Sequence, residues 1–248
     1  MERVTVVTGG GRGIGAAVAV RLGEAGHRVV LGYERDEAAA AATAARVADA
    51  GGEALAVRAD VSVAADVDRL FDAARERFGP VTGLVSNAGI TGGIGPFDET
   101  DTAVFRRVLD VNVYGAMLCA RRAVREMSTR RGGAGGAIVH ISSAAATLGS
   151  PGEYVHYAAS KAAVDTLTVG LAQEFGPQGI RVNSVQPGVT LTGIHAAGGE
   201  PDRPWRVAPA VPLGRPGEPE EIAHAVAWLL SDEASYTTGA VLRVAGGR

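Results

Sequence analysis

Short apolar runs alternate with longer amphipathic stretches along nearly the whole chain. The short runs predict strands at Val4–Thr8, Arg28–Leu31, Ala54–Ala59, Leu84–Ser86, Ala137–Ser142, Val182–Gln186 and Val241–Val244. The longer stretches have helical periodicity and predict helices at Gly13–Ala25, Glu37–Ala50, Ala64–Phe78, Thr102–Arg131, Tyr154–Phe175 and Pro219–Leu230. This alternation predicts an α/β fold of the doubly wound Rossmann type, with a single parallel β-sheet and helices on both faces.

No internal repeat, long linker or second set of elements interrupts the order, so residues 1–248 are predicted to form one domain. One segment, Gly188–Gly217, contains many glycines and prolines and has no clear period. It leaves the carboxyl end of a predicted strand, where folds of this class bind ligands. Because a structureless stretch of that length is usually functional, we interpret it as a lid over the substrate rather than a plain surface excursion.

Composition narrows the classes of function. The chain has 248 residues, of which 46% are hydrophobic and only 5% aromatic, so its core is predicted to be aliphatic. A formal net charge of -3 gives no sign of a nucleic-acid surface. The single cysteine, Cys119, allows no internal disulfide, and His140, His156 and His195 are not spaced as metal ligands, so we expect no metal. With no signal region and no membrane-length apolar run, we expect a soluble cytoplasmic protein without a membrane partner.

A glycine-rich turn, Thr8-Gly9-Gly10-Gly11-Arg12-Gly13-Ile14-Gly15, joins the first predicted strand to the first predicted helix. Glycines let the backbone turn tightly and approach a pyrophosphate, and the helix that follows offers free N–H groups and the positive end of its dipole. The alternative is a tight turn that binds nothing. The position of the turn in an alternating chain favours dinucleotide binding.

The glycine spacing resembles the TGxxxGxG pattern of the short-chain dehydrogenase/reductase family. Ser86-Asn87-Ala88-Gly89 resembles the NNAG motif of that family, with serine in place of the first asparagine. The resemblance implies that the adenosine and pyrophosphate half of a dinucleotide contacts Thr8, Gly9, Gly11, Arg12, Gly13, Ile14, Gly15, Asp60, Val61, Asn87, Ala88 and Gly89. For Asp60, a helix cap before Ser62 is a further interpretation.

The end of the second strand bears on the choice between NAD and NADP. An acidic residue there hydrogen-bonds the ribose 2′-OH of NAD and repels the 2′-phosphate of NADP. The family resemblance places Tyr33 at this position, and Arg12 and Arg35 are able to flank a 2′-phosphate with charge-assisted bonds. Two solvated surface arginines are the plainer interpretation, and Glu34 keeps NAD(H) as the alternative. We therefore favour NADP(H).

Tyr157 and Lys161 are four residues apart, which places both side chains on one face of a helix. Lys161 is the only lysine among 24 basic residues, and the chain has five tyrosines. A lone lysine would fall at this spacing by chance about one time in fifty. Carbonyl reduction needs a proton as well as a hydride, and a phenol with an ordinary pKa of about 10 needs a shift of roughly three units to serve near neutral pH. A nearby ammonium and the positive nicotinamide ring favour the phenolate, so we predict a proton-transfer pair.

This pair resembles the YxxxK motif of the family, and the resemblance implies two further catalytic residues. The usual family spacing puts the carbonyl-polarising serine at Ala144, which has no hydroxyl. Alignment of the strand selects Ser143 instead, with Ser142 as the second choice. Asn112 resembles the asparagine that kinks a helix and supports the proton relay to lysine, although packing of a polar residue against the next strand is also consistent with its position.

The segment after the sixth strand, Pro187-Gly188-Val189-Thr190-Leu191-Thr192, resembles the family PGxxxT segment. The resemblance implies that Pro187, Gly188 and Val189 border the nicotinamide, with the Val189 backbone on its carboxamide, and that Thr192 meets the amide or the pyrophosphate.

The resemblance extends from Thr8 to the carboxyl end and is greatest to a bacterial, uncharacterised or sugar-dehydrogenase-like subgroup. It implies an NADP(H)-favouring oxidoreductase that moves hydride between nicotinamide and a small carbonyl or secondary-alcohol substrate. Members usually form homotetramers through their two long helices, here about Thr102–Arg131 and Tyr154–Phe175. The alternative is a dinucleotide-sensing protein without turnover, but such relatives typically lose the tyrosine or the lysine.

Overall fold

The computed structural model describes residues 3–248, and its seven strands confirm the predicted fold class. The strands are β1 (Arg3–Thr8), β2 (His27–Tyr33), β3 (Glu53–Arg58), β4 (Gly83–Ser86), β5 (Gly136–Ile141), β6 (Ile180–Pro187) and β7 (Val241–Val244). They form one sheet in the order β3-β2-β1-β4-β5-β6-β7, and every neighbouring pair is parallel. Strand ends differ by up to two residues from the prediction.

Ten α-helices connect and cover these strands within the described residues. They are α1 (Gly13–Glu24), α2 (Glu37–Asp49), α3 (Ala64–Phe78), α4 (Thr102–Leu109), α5 (Gly115–Met127), α6 (Ala145–Leu148), α7 (Val155–Phe175), α8 (Ile194–Ala197), α9 (Arg203–Val207) and α10 (Pro219–Leu230). Two aliphatic cores lie on opposite faces of the sheet. One packs α3, α5 and α7 against it, and the other packs α1, α2 and α10.

The strand order creates a crevice between β1 and β4. The chain leaves β1 towards β2 on one side and later enters β4 on the other, so the connections after these two strands diverge. In open α/β sheets, ligands bind at such a switch point, beside the carboxyl ends of the strands. Thr8 ends β1 and Ser86 ends β4, so both predicted cofactor motifs lie at this crevice.

The predicted helix Thr102–Arg131 is not regular. Helices α4 and α5 are joined by a π-helical turn at Asp110–Tyr114, and a 3-10 turn at Thr129–Arg131 follows α5. Asn112 lies in this π turn and bonds the backbone of Ile90. A side chain that hydrogen-bonds backbone groups competes with the regular α-helical bonds, which accounts for the irregular turn at Asn112. Turns of the π type are frequent at functional sites.

The segment Gly188–Gly217 is also more ordered than a structureless stretch. It contains α8, α9 and a 3-10 turn at Ala208–Ala210. These elements are only three to five residues long, too short for a helical period to be recognised in the sequence.

Among residues 3–248, no helix has both the length and the apolar character needed to cross a membrane.

Candidate active site

A cleft of about 900 Å³ runs along the carboxyl ends of the strands. At one end it is lined by the glycine turn and the residues that follow β2 and β3. At the other end it is lined by Tyr157, Lys161 and the start of the Gly188–Gly217 segment. Of the predicted cofactor residues, the cleft is bordered by Gly9, Gly11, Arg12, Gly13, Ile14, Tyr33, Arg35, Asp60, Val61, Asn87, Ala88, Gly89, Pro187, Gly188, Val189 and Thr192.

The glycine turn has the shape that a pyrophosphate needs. Gly9 and Gly13 adopt φ angles of 63° and 54°, which L-residues with a side chain rarely adopt. A Cβ at Gly15 would overlap the carbonyl oxygen of Gly9, so only glycine fits there. Helix α1 has no acidic residue in its first turn, and the side chain of Arg12 at its N-cap makes no cap bond. The turn therefore leaves backbone N–H groups and the positive helix end free for a phosphate.

Thr8 and Asn87 hold the two sides of the crevice at a fixed separation. The Thr8 hydroxyl accepts hydrogen bonds from the backbone N–H groups of Asn87 and Ala88, both at 3.0 Å. The Asn87 amide in turn donates to the carbonyl oxygens of Thr8 and Gly9, at 2.9 and 3.1 Å. Thr8 is buried and does not line the cleft, so it supports the cofactor wall rather than forming it.

The adenosine end is rich in charge. Glu34 pairs with Arg35 at 3.3 Å, and Arg35 is 80% exposed, so its guanidinium can reach a ligand. Asp60 accepts from the backbone N–H of Ser62 at 2.9 Å and from its hydroxyl at 2.6 Å, which closes a turn before α3. The N-cap of α3 is Val63, without a side-chain cap bond, so the helix-cap interpretation of Asp60 is wrong. Burial raises the pKa of Asp60, but its bonds from Ser62 and Arg107 outweigh that and hold the pKa below its ordinary value.

Tyr157 and Lys161 lie on one face of α7, as their spacing requires. Both side chains are nearly buried, with 8% and 4% exposed, and both border the cleft. The Lys161 ammonium donates to the carbonyl oxygen of Ile141 at 2.7 Å and lies 5.7 Å from the centre of the Tyr157 ring. The end of β5 therefore fixes the lysine one helical turn from the phenol.

The two serines after β5 have different partners. The Ser142 hydroxyl is buried and donates to the carbonyl oxygen of Lys161 at 3.1 Å, which ties the strand to α7. The Ser143 side chain borders the cleft, acts to lower the pKa of Tyr157 and accepts from the N–H of Ala145 at 3.1 Å. Only Ser143 thus offers a hydroxyl beside the phenol.

Asn112 is buried, and its amide is occupied by backbone and serine partners. It accepts from the N–H of Ile90 at 2.9 Å, and donates to the carbonyl of Ile90 at 2.9 Å and to the Ser160 hydroxyl at 3.0 Å. A Cβ added at Gly89 would lie 3.3 Å from both the Asn112 oxygen and the Lys161 ammonium. Asn112 therefore bonds the loop after β4 and helix α7, beside the lysine, rather than the next strand.

Burial shifts the pKa values of the Tyr157 phenol and the Lys161 ammonium in opposite directions. It raises the pKa of Tyr157 to about 12, although the bond from Ser143 and the charge of Arg203 work against that rise. It lowers the pKa of Lys161 to about 8, partly offset by the carboxylate of Asp165. Desolvation disfavours the charged form of each group. The pKa of Tyr157 thus lies above its ordinary value, whereas the spacing to Lys161 suggested a lowered pKa.

A second tyrosine and a buried arginine adjoin the phenol, and no sequence motif points to either. Tyr154 meets Tyr157 edge-on, with 5.2 Å between ring centres. Arg203, from α9, lies 4.9 Å over the Tyr154 ring and donates to Glu153 at 2.5 Å. The Gly188–Gly217 segment therefore attaches directly to the wall that carries the phenol.

The start of that segment meets the glycine turn. A Cβ at Gly13 would lie 3.3 Å from the Thr192 side chain, and a Cβ at Gly188 would press on Ala245.

The three histidines near the cleft hydrogen-bond threonines. The imidazole of His195 contacts the Thr190 carbonyl at 2.9 Å, and His156 and His140 contact Thr91 and Thr168. Within residues 3–248, no three His, Cys, Asp or Glu side chains are placed to hold a metal ion.

Comparison with known proteins identifies the family. The sequence model of a family described as enoyl-(acyl carrier protein) reductase matches residues 9–248. An uncharacterised oxidoreductase of Escherichia coli, YgfF, is 47% identical over 245 residues, covering 99% of each protein. The 3beta-hydroxysteroid dehydrogenase 1 of Eggerthella lenta is 43% identical, covering 99% of this chain and 93% of that protein. The chain belongs to the short-chain dehydrogenase/reductase family.

Solved structures agree with this assignment. A 3-ketoacyl-(acyl-carrier-protein) reductase from Brucella melitensis, complexed with NADH, superimposes with a TM-score of 0.91 at 34% identity and covers 99% of this chain and 98% of its own. The predicted enzyme class is thereby confirmed: this short-chain dehydrogenase/reductase acts on CH–OH or C=O groups with a nicotinamide dinucleotide.

Proposed function

We propose that this enzyme interconverts a ketone and a secondary alcohol with NADP(H), using Tyr157, Lys161, Ser143 and Asn112. One observation carries the proposal: the Tyr157 phenol lies beside the buried ammonium of Lys161, with the Ser143 side chain in the same wall of the cleft as Gly188 and Val189. Such an arrangement has a proton donor, a carbonyl-polarising hydroxyl and a positive charge in one wall.

Each residue then has a distinct task. When bound, the nicotinamide ring supplies or accepts the hydride. Tyr157 gives its Oη proton to the forming alkoxide or takes it from the alcohol, and the Ser143 hydroxyl donates a hydrogen bond to the same substrate oxygen. Lys161 stabilises the phenolate by its charge, and its rotatable ammonium donors suit ribose hydroxyls. Asn112 holds the Ile90 backbone beside Lys161 and keeps the relay in place.

The choice of NADP(H) rests on the charges at the adenosine end. Arg12 is exposed and Arg35 is free apart from its pairing with Glu34, so both can contact a 2′-phosphate. The only carboxylate directly after β2 is Glu34, and two arginines already pair with it. A 2′-phosphate therefore meets donors here, whereas the single Glu34 that would hold the 2′-OH of NAD is engaged.

The segment Gly188–Gly217 is proposed to be the substrate lid. Its helix α9 attaches to the catalytic wall through the ion pair of Arg203 with Glu153, and its first residues touch the glycine turn. Apolar side chains in the cleft lining include Ile90, Ala145, Leu148 and Ile194, and Ala145 packs in one cluster with Tyr157. We infer a substrate whose carbonyl or hydroxyl is attached to a mainly apolar frame.

The direct test is a substrate panel followed by nicotinamide absorbance, run with NADPH and with NADH. The panel contains cyclic and linear ketones, a 3-ketosteroid, acetoacetyl-CoA and, for the enoyl reduction named by the family model, crotonyl-CoA. We expect ketone reduction with a higher kcat/KM for NADPH. Better efficiency with NADH would overturn the cofactor choice, and reduction of crotonyl-CoA alone would overturn the reaction. Tight NADPH binding with no turnover of any compound would favour a dinucleotide sensor.

Ser143 and Ser142 form a matched pair for testing the assignment of the serine. We expect Ser143→Ala to lower kcat for any accepted ketone by about 10²-fold, as loss of one oxyanion-type donor does. Ser142→Ala removes only a bond to the Lys161 carbonyl, so it should mainly lower the melting temperature. Kinetics and thermal denaturation of both variants decide the matter, and a larger kcat loss for Ser142→Ala would reverse the assignment.

A homotetramer is the proposed assembly. Tyr114 and Met117 on the π turn and α5 are about half exposed, and Val155 and Val169 on α7 are exposed as well. Large apolar side chains on two long helices are suited to a symmetric interface. Light scattering after gel filtration should give about four times the chain mass of 25.2 kDa, and a monomer mass would refute the assembly.

A further inference from the structure

Arg107 lies behind the adenosine end of the cleft, and its guanidinium joins two carboxylates that border it. One nitrogen, Nη2, is 3.2 Å from a carboxylate oxygen of Glu34 and 3.1 Å from one of Asp60. The other, Nη1, donates to the Ser62 hydroxyl at 2.8 Å. Glu34 follows β2 and Asp60 follows β3, whereas Arg107 comes from α4, about fifty residues further along the chain.

The location of these groups matters for a 2′-phosphate. Glu34 and Asp60 both line the cleft, together with Arg35 and Arg12, but Arg107 does not. Its charge therefore acts on the ligand through the two carboxylates it neutralises. Without it, two acidic groups would face the adenosine ribose, and Arg35 would be the remaining ion-pair partner of Glu34 among the described residues.

We propose that Arg107 is a specificity-determining residue that allows a 2′-phosphorylated nucleotide to bind by neutralising Glu34 and Asp60. This inference rests on the proposed function, since it explains how a chain with an acid directly after Tyr33 can favour NADP(H). Loss of Arg107 is expected to lower the ratio of NADPH to NADH affinity in two ways. Asp60 loses its ion pair with Arg107 and Glu34 keeps only its pair with Arg35, so their excess negative charge repels the 2′-phosphate, and the Glu34 oxygen that Arg107 held can accept a bond from the 2′-OH of a non-phosphorylated ribose.

The expected change in the ratio of NADPH to NADH affinity depends on how far the three charged side chains are exposed to solvent. The side chains of Arg107, Glu34 and Asp60 are 40%, 41% and 26% exposed, so solvent and salt screen their charges. We expect the ratio of NADPH to NADH affinity to fall by about fivefold to tenfold in 50 mM salt, and by less in 500 mM salt, as the screening length shortens.

The experiment measures dissociation constants for NADPH and NADH by isothermal titration calorimetry, so no substrate is required. Three single variants are compared with the wild-type chain. Arg107→Gln removes the charge, Arg107→Lys keeps it, and Arg106→Gln removes a charge from the neighbouring, exposed position of α4. Arg107→Gln should lower the affinity ratio by the stated factor, whereas Arg107→Lys should retain most of it and Arg106→Gln should leave it unchanged.

A fourth variant separates charge from structure. In Glu34→Gln/Arg107→Gln the carboxylate of Glu34 is gone and only that of Asp60 is left without Arg107, so the affinity ratio should return part of the way to that of the wild type. Equal weakening of both nucleotides by Arg107→Gln, or an equal fall in the ratio for Arg107→Lys and Arg107→Gln, would overturn the proposal. Tighter wild-type binding of NADH would refute only the NADP(H) preference, because the change in the ratio on Arg107→Gln is measured independently.

Discussion

Replacing Tyr157 with phenylalanine is expected to lower kcat by at least about 10³-fold for any carbonyl that the enzyme accepts, while NADPH still binds. The substitution removes one oxygen and leaves the ring in its pocket against Tyr154. A positioned general acid contributes roughly 10²- to 10⁴-fold. Steady-state kinetics and calorimetric titration with NADPH measure the two quantities separately.

The chain offers a matched control for this substitution. Tyr236 is fully exposed and distant from the cleft, so Tyr236→Phe should leave kcat unchanged. Tyr154→Phe removes a hydroxyl from the same wall, and we expect it to have a smaller effect than Tyr157→Phe. Turnover by Tyr157→Phe within tenfold of the wild type would sink the assigned mechanism, because the proton would then come from another group.

The sequence predicted those parts of the site that depend on local spacing. Tyr157 and Lys161 share a helix, and the glycines after β1 share a turn, so their relative positions follow from helix geometry and backbone sterics alone. The order of strands and helices likewise follows from periodicity, because each element buries one face. Ser143 and Ser142 are adjacent, so the sequence alone does not distinguish them, and only the direction of each side chain in the structure does.

Residues that enter the site from a distance could not be found in this way. Arg203 reaches the phenol wall from the lid, and Arg107 reaches Glu34 from α4. Both are ordinary arginines in a chain that has 23 of them, and neither lies near a glycine turn or a motif. Their roles arise from the packing of distant elements against one another, which a single sequence does not encode in any short pattern.

The pKa of Tyr157 also depends on packing. The spacing to Lys161 suggested a phenol made acidic by its neighbour, but burial raises the pKa of Tyr157 to about 12. Burial also lowers the pKa of Lys161 to about 8. Of these two groups, the lysine is therefore the first to lose a proton as the pH rises, and the positive charge that favours the phenolate declines above about pH 8.

The lowered pKa of Lys161 predicts how activity depends on pH. Below its pKa the ammonium is present and favours proton loss from the phenol, and above it the charge is lost. We expect Lys161→Met to lower kcat/KM by about 10²-fold at pH 7, with the wild-type decline above about pH 8 absent from its profile. Profiles between pH 6 and 10 at saturating NADPH provide the measurement.

Lys161→Arg distinguishes charge from shape. Arginine keeps a positive charge at every pH in that range, but its planar fork cannot replace a compact ammonium that donates to Ile141 and lies 5.7 Å from the phenol ring. Activity lost in both variants would show that the geometry of the single lysine matters as much as its charge. If Lys161→Met kept the decline above pH 8, the titrating group would be another residue, and the electrostatic role assigned to Lys161 would be wrong.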